Sequence, residues 1–214
     1  MFVYNRCHMK WRFLSATQDT DHPFLNLFTL HYEVEKDDGT KSPYSYFVAS
    51  RNGLDSIKAK TRDYSHADGV VLALYSLDME THEVSVMMTR QFRPALGGYM
   101  VSFPAGLLDP DDQDDFQAAA REAKEEAGAL ISSWEVLCPP CPTSSGLSDE
   151  LDSLLLGRIE SLEENRLEEF EDISCSLIPL KTIAQWLKDP THYVIPMMAR
   201  ITLLYLLERF SVHE

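Results

Sequence analysis

The chain has 214 residues, of which 44% are hydrophobic and 25% charged, and its formal net charge is −15. This length suits one domain, or one domain with a smaller appendage, that buries a compact core. The acidic balance argues against nucleic acid and anionic membrane surfaces as partners. It does not exclude a phosphorylated small molecule, because bound cations can carry the local positive charge.

Neither end of the chain indicates export or membrane insertion. The first residues are soon followed by polar and charged ones, unlike a secretory signal. The apolar run at residues 195–207 contains Pro196 and Arg200, so it predicts a buried helix rather than a membrane span. Four cysteines are too few for a disulfide scaffold at this length. We therefore expect a cytoplasmic protein.

Cys138 and Cys141 have C-x-x-C spacing. A zinc site would need a second pair of ligands, which Cys7 and Cys175 do not supply with matching spacing. A redox motif would stand at a helix start, whereas the two intervening prolines and residues 142–146 indicate a loop. We interpret the pair as reduced cysteines at a strand-to-loop junction.

Apolar alternation and turn residues predict a chain that is rich in strands, with helices towards its end. Residues 37–39, Asp-Asp-Gly, predict the turn of a hairpin, and the polar stretch 51–65 is a plausible boundary. The absence of regular strand–helix alternation favours an α+β fold or a mixed-sheet sandwich. The expected strands are 10–14, 25–34, 44–48, 69–77, 84–92, 99–103, 134–138, 151–159 and 173–178, and the expected later helices are 183–187 and 197–210.

A further helix is predicted after the turn at residues 109–112, ending at a capping glycine, Gly128. Its apolar stripe is expected to consist of Phe116, Ala119, Ala120, Ala123 and Ala127.

Three carboxylates, Glu122, Glu125 and Glu126, crowd together beside that stripe. Like charges three and four residues apart repel each other on a helix. Either water screens them on a solvated face, or a cation lies among them. Oxygen ligands of this kind suit Mg²⁺ or Mn²⁺, ions that often bridge to substrate phosphates.

The surrounding sequence resembles the signature box of Nudix hydrolases. Gly106 opens the box, and the run Arg-Glu-Ala-Lys-Glu-Glu-Ala-Gly at residues 121–128 closes it. Residues 67–70, 90–99, 103–109 and 144–150 are similar to the ADP-ribose pyrophosphatase branch, and the likeness extends over residues 10–180. The resemblance implies a Nudix fold, a mixed sheet between helices, over residues 63–214. It also implies a β-rich region over residues 1–62 that binds the substrate base and forms a homodimer.

The resemblance also implies roles for individual residues. Glu122 and Glu126 would be the principal ligands of Mg²⁺ or Mn²⁺, assisted by Glu125 and by the backbone carbonyl of Ala105. Arg121 would pair with an acid of the box and hold the geometry of loop and helix. Glu150 would orient or deprotonate the attacking water.

Four residues would bind the rest of the substrate. Arg51 and Arg93 match positions that contact phosphates, where a guanidinium fork suits anionic oxygens. Trp11 and one aromatic among Tyr44, Tyr46 and Phe47, for which we take Tyr46, match places where relatives stack the adenine. In relatives one of these aromatics comes from the partner subunit.

The sequence departs from the family pattern in three places. The box is one residue longer than the consensus, and Asp112 or Gln113 stands nearest to its first glutamate. Ser102 replaces a common glutamate and Ser145 a common proline. The leading expectation remains metal-dependent hydrolysis of ADP-ribose to AMP and ribose 5-phosphate. The alternatives are a UDP- or GDP-sugar pyrophosphatase and a catalytically weak Nudix-fold nucleotide sensor.

Overall fold

The computed structural model describes residues 9–167, 172–189, 191 and 193–211. Cys7 and residues 168–171 therefore lie outside the described residues. The strands are β1 (Met9–Gln18), β2 (Asn26–Lys36), β3 (Lys41–Ser50), β4 (Gly69–Leu77), β5 (Val84–Arg93), β6 (Gly98–Ser102), β7 (Ala105–Leu107), β8 (Ala129–Pro142), β9 (Leu151–Leu162) and β10 (Ile173–Pro179). The helices are α1 (Lys58–Thr61), α2 (Asp115–Ala127), α3 (Leu180–Lys188) and α4 (Met197–Ser211).

The chain divides into two compact units. The first contains the residues up to 66 together with 140–151, and the second contains residues 67–139 and 152 onwards. The first unit thus includes residues 140–151, which are distant in sequence from the N-terminal region. Local composition cannot predict that these two segments pack together. The expected division into residues 1–62 and 63–214 stays a prediction.

The first unit is built on an antiparallel sheet in the order β1-β2-β3. The predicted hairpin is confirmed, with Gly39 at a φ of 81° in its turn. One face of the sheet packs Phe28, Leu30 and Val48 against Ile57, which precedes α1. The short helix α1 was not predicted, because its four residues show no periodicity of their own.

The second unit contains a seven-stranded mixed sheet. Its main order is β10-β5-β4-β9-β8, with β6 added on β5 and β7 on β4. Strand β4 pairs in parallel with β9 and antiparallel with β5. The three-residue strand β7 was not predicted, since a strand so short carries no alternation.

Alternate residues of the central strands face opposite layers of helix. Leu72 and Leu74 of β4 pack in the cluster that contains the buried alanines of α2. Ala73, between them, packs with residues of α3 and α4, among them Ile183 and Leu203. The sheet therefore lies between α2 on one face and α3 with α4 on the other, which confirms the predicted α+β fold.

Two local expectations were wrong. The buried stripe of α2 contains Ala118, Ala119, Ala123 and Ala127, while Ala120 and Phe116 are exposed. The helix is rotated from the expected stripe, so that Ala118 rather than Ala120 meets the sheet. The C-x-x-C motif, in turn, lies inside β8 rather than at the start of a loop, because that strand continues to Pro142.

Candidate functional site

Helix α2 is capped at both ends by its own sequence. The side chain of Asp114 accepts the N–H of Gln117 at 2.9 Å, which satisfies one of the free donors of the first turn. At the other end Gly128 adopts a left-handed φ of 60° and donates its N–H to the Lys124 carbonyl at 3.0 Å. These caps fix the length of the helix and therefore the position of the glutamates in its last two turns.

Gly106, on β7, allows the side chain of Glu122 to approach the strand. A Cβ atom at residue 106 would stand 2.0 Å from the carboxyl carbon of Glu122, a distance that no real Cβ contact shows. The carboxylate therefore occupies the space that any other residue would fill. This accounts in physical terms for the glycine that opens the sequence motif.

Glu126 is the most deeply placed of the three glutamates, with 5% of its surface exposed. Its carboxylate accepts the N–H of Ala105 on β7 at 3.0 Å. A buried carboxylate needs such a donor, because its charge is costly to remove from water. The strand and the helix are thus joined by the side chain itself.

Arg121 is the positive charge that lies among the acids. Its Nη1 donates to Glu122 at 2.7 Å and to Glu125 at 3.2 Å. Its Nη2 donates to Asp112 at 2.8 Å and to the carbonyl of Leu107 at 3.0 Å. The repulsion that the sequence suggested is therefore relieved, in this structure, by a residue of the helix itself.

The electrostatics of this group follow from those contacts. The hydrogen bond to Asp112, and after it the one to Glu122, hold the pKa of the Arg121 guanidinium above its usual value. The same bond from Arg121 holds the pKa of the Asp112 carboxyl below its usual range. Asp112, one of the two residues nearest to the missing first glutamate of the motif, pairs with Arg121 through a side chain that is only 9% exposed.

The expected convergence of three carboxylates is not observed. Within residues 9–167 and the later described segments, no three acidic, histidine or cysteine side chains are placed to hold one metal ion. The physical reason is that Arg121 holds Glu122 and Glu125, whereas Glu126 turns to the Ala105 amide. The donor chemistry nevertheless fits a divalent cation, since all these ligands are oxygens and the Gly106 cradle brings one of them in closely.

Arg93 lies at the end of β5, in the same unit as these glutamates, and is exposed. Its carbonyl accepts the N–H groups of Leu96 and Gly97 at 2.9 and 3.0 Å, so its backbone shapes the β5–β6 turn. The sequence did not predict the contact between Arg90 on β5 and Tyr99 on β6. The guanidinium of Arg90 lies 3.6 Å from the ring centre of Tyr99, a contact that only the strand register reveals.

Two of the remaining candidates form an ion pair within the first unit. Arg51 Nε donates to Glu150 at 2.8 Å. The backbone of the same segment is tied to β3, because the N–H of Ala49 donates to the Leu147 carbonyl at 2.9 Å. A guanidinium and the acid expected to act on water are thus brought together.

Trp11, Tyr44 and Tyr46 lie on one face of the N-terminal sheet, whereas Phe47 lies on the other. Trp11 is 50% exposed and meets Tyr44 edge to face, with ring centres 5.1 Å apart. The hydroxyl of Tyr46 donates to the carbonyl of Gly146 at 2.8 Å. Sequence reasoning missed an adjacent cavity of about 380 Å³. Its lining is Leu30, Tyr32, Tyr46, Val48, Lys58, Ala59, Tyr64, Pro142, Ser145, Ser148, Asp149 and Leu151.

Cys175 was not expected near the glutamates. Its thiol on β10 donates to the backbone carbonyl of Glu126 at 3.2 Å. Burial, followed by the charge of Glu126, raises the pKa of this thiol to about 12, so it remains protonated and can still donate a hydrogen bond.

None of the described helices is long and apolar enough to cross a membrane.

Comparison with known proteins places this geometry in context. A family model of the NUDIX domain matches residues 67–195. The chain is 36% identical over 88 residues to an ADP-sugar pyrophosphatase of Mus musculus, covering 41% of this chain and 39% of the relative. It is 39% identical over 66 residues to an ADP-ribose pyrophosphatase of Mycobacterium tuberculosis, covering 31% of each. The matched regions thus span well under half of these curated relatives.

A solved structure of an ADP compounds hydrolase superposes with a TM-score of 0.64 over 94% of each chain, at 15% identity. At that identity the superposition shows a shared fold. The family model covers more than half of the 214 residues, and its match includes the whole Gly106-to-Gly128 motif. The chain belongs to the Nudix family.

Proposed function

We propose that the protein is a divalent-metal-dependent hydrolase that cleaves the pyrophosphate bond of a nucleoside diphosphate derivative. ADP-ribose, giving AMP and ribose 5-phosphate, is the first substrate to test. The named activities of the two curated relatives, on an ADP-sugar and on ADP-ribose, support this choice. We place the activity in the cytoplasm.

One observation carries the proposal: in a chain of this family, β7 receives the carboxylate of Glu122 at Gly106 and that of Glu126 at the Ala105 N–H. Glu122 and Glu126, with Glu125 and the carbonyl of Ala105, would hold the cation, for which we propose Mg²⁺ or Mn²⁺. A bound divalent cation would neutralise the diphosphate and lower the pKa of an attacking water. Without a cation, Arg121 would hold Glu122 and Glu125 in place. When a cation binds these glutamates, Arg121 would retain its hydrogen bond to Asp112.

The phosphates and the water need partners outside the helix. Arg93, exposed at the end of β5, would donate to phosphate oxygens, as a guanidinium fork does well. Arg51 would do the same, and Glu150, now its ion-pair partner, would orient the water. Binding of a phosphate by Arg51 would release the Glu150 carboxylate to accept a proton.

The base would stack on the aromatic face of the N-terminal sheet. Trp11 and Tyr46 are our candidates, and the half-exposed ring of Trp11 supports a stacking role. We also propose a homodimer through this β-rich region, in which one aromatic is supplied by the partner subunit.

The test is a panel of nucleoside diphosphate derivatives, including ADP-ribose and UDP- and GDP-sugars, incubated with Mg²⁺ or Mn²⁺ while the phosphorylated products are followed. Glu126→Gln should abolish turnover, since an amide keeps an acceptor for the Ala105 N–H but loses the charge. Circular dichroism checks that the fold is retained. Wild-type rates in this variant would show that the metal ligands are elsewhere.

The nucleotide sensor remains the second candidate because of a specific observation. Arg121 occupies Glu122 and Glu125, and the first glutamate of the motif is replaced. The same panel separates the two functions. Measurable binding of ADP-ribose without metal-dependent turnover of any member would favour the sensor.

A further inference from the structure

A short segment that follows β9 lies against the carboxyl end of α2. We call residues 163–166 the strap. The N–H of Glu163 donates to the carbonyl of Gly128 at 2.7 Å, and the N–H of Arg166 donates to the carbonyl of Glu125 at 2.9 Å. Because the last carbonyls of a helix have no partner within it, the strap supplies donors that α2 lacks.

Two side chains donate to the backbone carbonyl of Glu126, which lies between the carbonyls of Glu125 and Gly128. Asn165 Nδ2 donates to the Glu126 carbonyl at 3.0 Å, and the Cys175 thiol donates to the same oxygen at 3.2 Å. A carbonyl oxygen has two lone pairs, so both are used. The carboxylate of Glu126 meanwhile accepts the Ala105 N–H at 3.0 Å. Glu126 is therefore held at its backbone and at its side chain.

Backbone N–H groups serve the neighbouring carbonyls at this end of α2, whereas side chains serve the carbonyl of Glu126. The N–H of Gly128 already closes the helix onto the Lys124 carbonyl at 3.0 Å, and the backbone of Glu163 closes onto Gly128. Asn165 and Cys175 come from different elements and both donate to Glu126, the most buried of the glutamates. What they fix in common is the position of that residue.

We infer that Asn165, assisted by Cys175, is a positioning residue that holds Glu126 for cation binding. The inference rests on the proposed function and adds residues that lie outside the sequence motif. Groups that orient a metal ligand without touching the metal commonly change metal affinity by about 10- to 100-fold when they are removed. The strap should therefore control how tightly the site binds its cation.

The direct test is Mn²⁺ binding to the metal-free full chain, measured by titration calorimetry. Asn165→Ala should raise the Kd for Mn²⁺ about tenfold. Cys175→Ala should raise it less, and Cys175→Ser, which keeps a donor, should stay close to the wild type. Ser176→Ala, at the exposed neighbour of Cys175 on β10, serves as the local control.

A second control separates positioning from general weakening of α2. Asp114→Ala removes the N-terminal cap of the same helix and should lower the melting temperature by about 2–4 °C, as we expect for Asn165→Ala. Of these two variants, only Asn165→Ala should weaken Mn²⁺ binding. If both variants weaken it equally, or if Asn165→Ala leaves the Kd within about twofold of the wild type, the positioning role is overturned.

The proposed hydrolase activity and the positioning role of Asn165 fail on different results. A wild-type chain that neither binds Mn²⁺ nor turns over any substrate would overturn the proposed hydrolase, and the positioning role with it. Wild-type turnover together with unchanged Mn²⁺ affinity in Asn165→Ala and Cys175→Ala would overturn the positioning role alone.

Discussion

Arg121 resolves the crowding of acids on α2 through the shape of its side chain. Its planar fork reaches Glu122 and Glu125 with one nitrogen, and Asp112 with the other. A lysine could not make these contacts together, because its ammonium is a single point of charge. Of Asp112 and Gln113, the two residues nearest to the expected first glutamate of the motif, Asp112 is the one that pairs with Arg121.

The Asp112–Arg121 pair should make stability depend on pH. Since the pair lowers the pKa of Asp112 in the folded state, its contribution is complete above the ordinary aspartate value of 3.8 and is lost as the pH falls through the lower folded value. Asp112→Asn should cost about 1–2 kcal/mol of unfolding free energy at pH 7. Urea unfolding from pH 7 to pH 3 measures the difference.

The difference in unfolding free energy between Asp112→Asn and the wild type should shrink below about pH 4, where the wild type loses the same charge. The control is Asp111→Asn, which removes a neighbouring exposed charge that is not among the described partners of Arg121. A constant difference between Asp112→Asn and the wild type across this range would contradict the coupling.

Gly106 gives a second prediction about single residues. Gly106→Ala would place a Cβ within 2.0 Å of the Glu122 carboxyl group, so the glutamate or the strand must move. A displacement of this size should lower turnover by about 100-fold while the fold is retained. Product formation and circular dichroism measure the two effects. Gly53→Ala, where the added Cβ meets no atom within 4 Å, should leave turnover unchanged.

At the scale of secondary structure, the end of α2 depends on the contact between Gly128 and the strap. Gly128 and Gly97 have similar left-handed φ values, 60° and 63°, and both belong to the second unit. They differ in their surroundings, since a Cβ at Gly128 would stand 2.2 Å from the Glu163 carbonyl oxygen and one at Gly97 would meet nothing. Comparing alanine variants at the two positions therefore isolates the strap contact.

Gly97→Ala should cost about 1 kcal/mol of unfolding free energy from backbone strain alone. Gly128→Ala should cost about 1–3 kcal/mol more, because the strap has to move away from the helix. Urea unfolding of the two variants provides the comparison. Equal losses of unfolding free energy in the two variants would mean that the strap moves aside at no cost and does not constrain α2.

The sequence predicted those elements whose causes are local. Helix α2 has a capping glycine and buried alanines at helical spacing, and β4 is a continuous apolar run. The strand that contains Cys138 was expected to end there, because prolines follow it, although β8 continues to Pro142. Local patterning cannot show which strand a segment will join.

In the candidate site too, the features that depend on nearby sequence were predicted, and those that depend on side-chain geometry or on residues distant in sequence were not. The glutamates and Gly106 follow from the motif, and the pairing of Arg121 with a box acid was expected. That Arg121 binds Glu122, Glu125 and Asp112 at the same time was not expected, because it depends on side-chain geometry. Asn165 and Cys175 reach Glu126 from 39 and 49 residues away, and neither belongs to a recognisable pattern.

At the scale of the whole molecule, the proposed site residues are divided between the two units. Arg121, the three glutamates of α2 and Arg93 belong to the second unit. Trp11, Tyr46, Arg51 and Glu150 belong to the first. If one subunit supplies the base-binding aromatic to the metal site of its partner, as we propose, activity becomes a property of the dimer.

This sharing predicts complementation between two defective subunits. Glu126→Gln should lack turnover but keep the aromatic face, whereas Trp11→Ala should keep the metal site but bind ADP-ribose weakly. In a hybrid dimer, one of the two sites combines Trp11 from one chain with Glu126 from the other. After subunit exchange in an equal mixture, half of the dimers are hybrids, so activity should return to about a quarter of the wild-type level.

The measurement is the rate at a subsaturating ADP-ribose concentration, where Trp11→Ala alone is slow. Light scattering on the same mixture should give twice the chain mass of 24.4 kDa. Mixing Glu126→Gln with a Trp11→Ala, Glu126→Gln double variant is the control, since no hybrid of these chains contains an intact metal site. A mixture that never exceeds the summed rates of its separate components, despite subunit exchange, would place Trp11 and Glu126 of one site on the same chain.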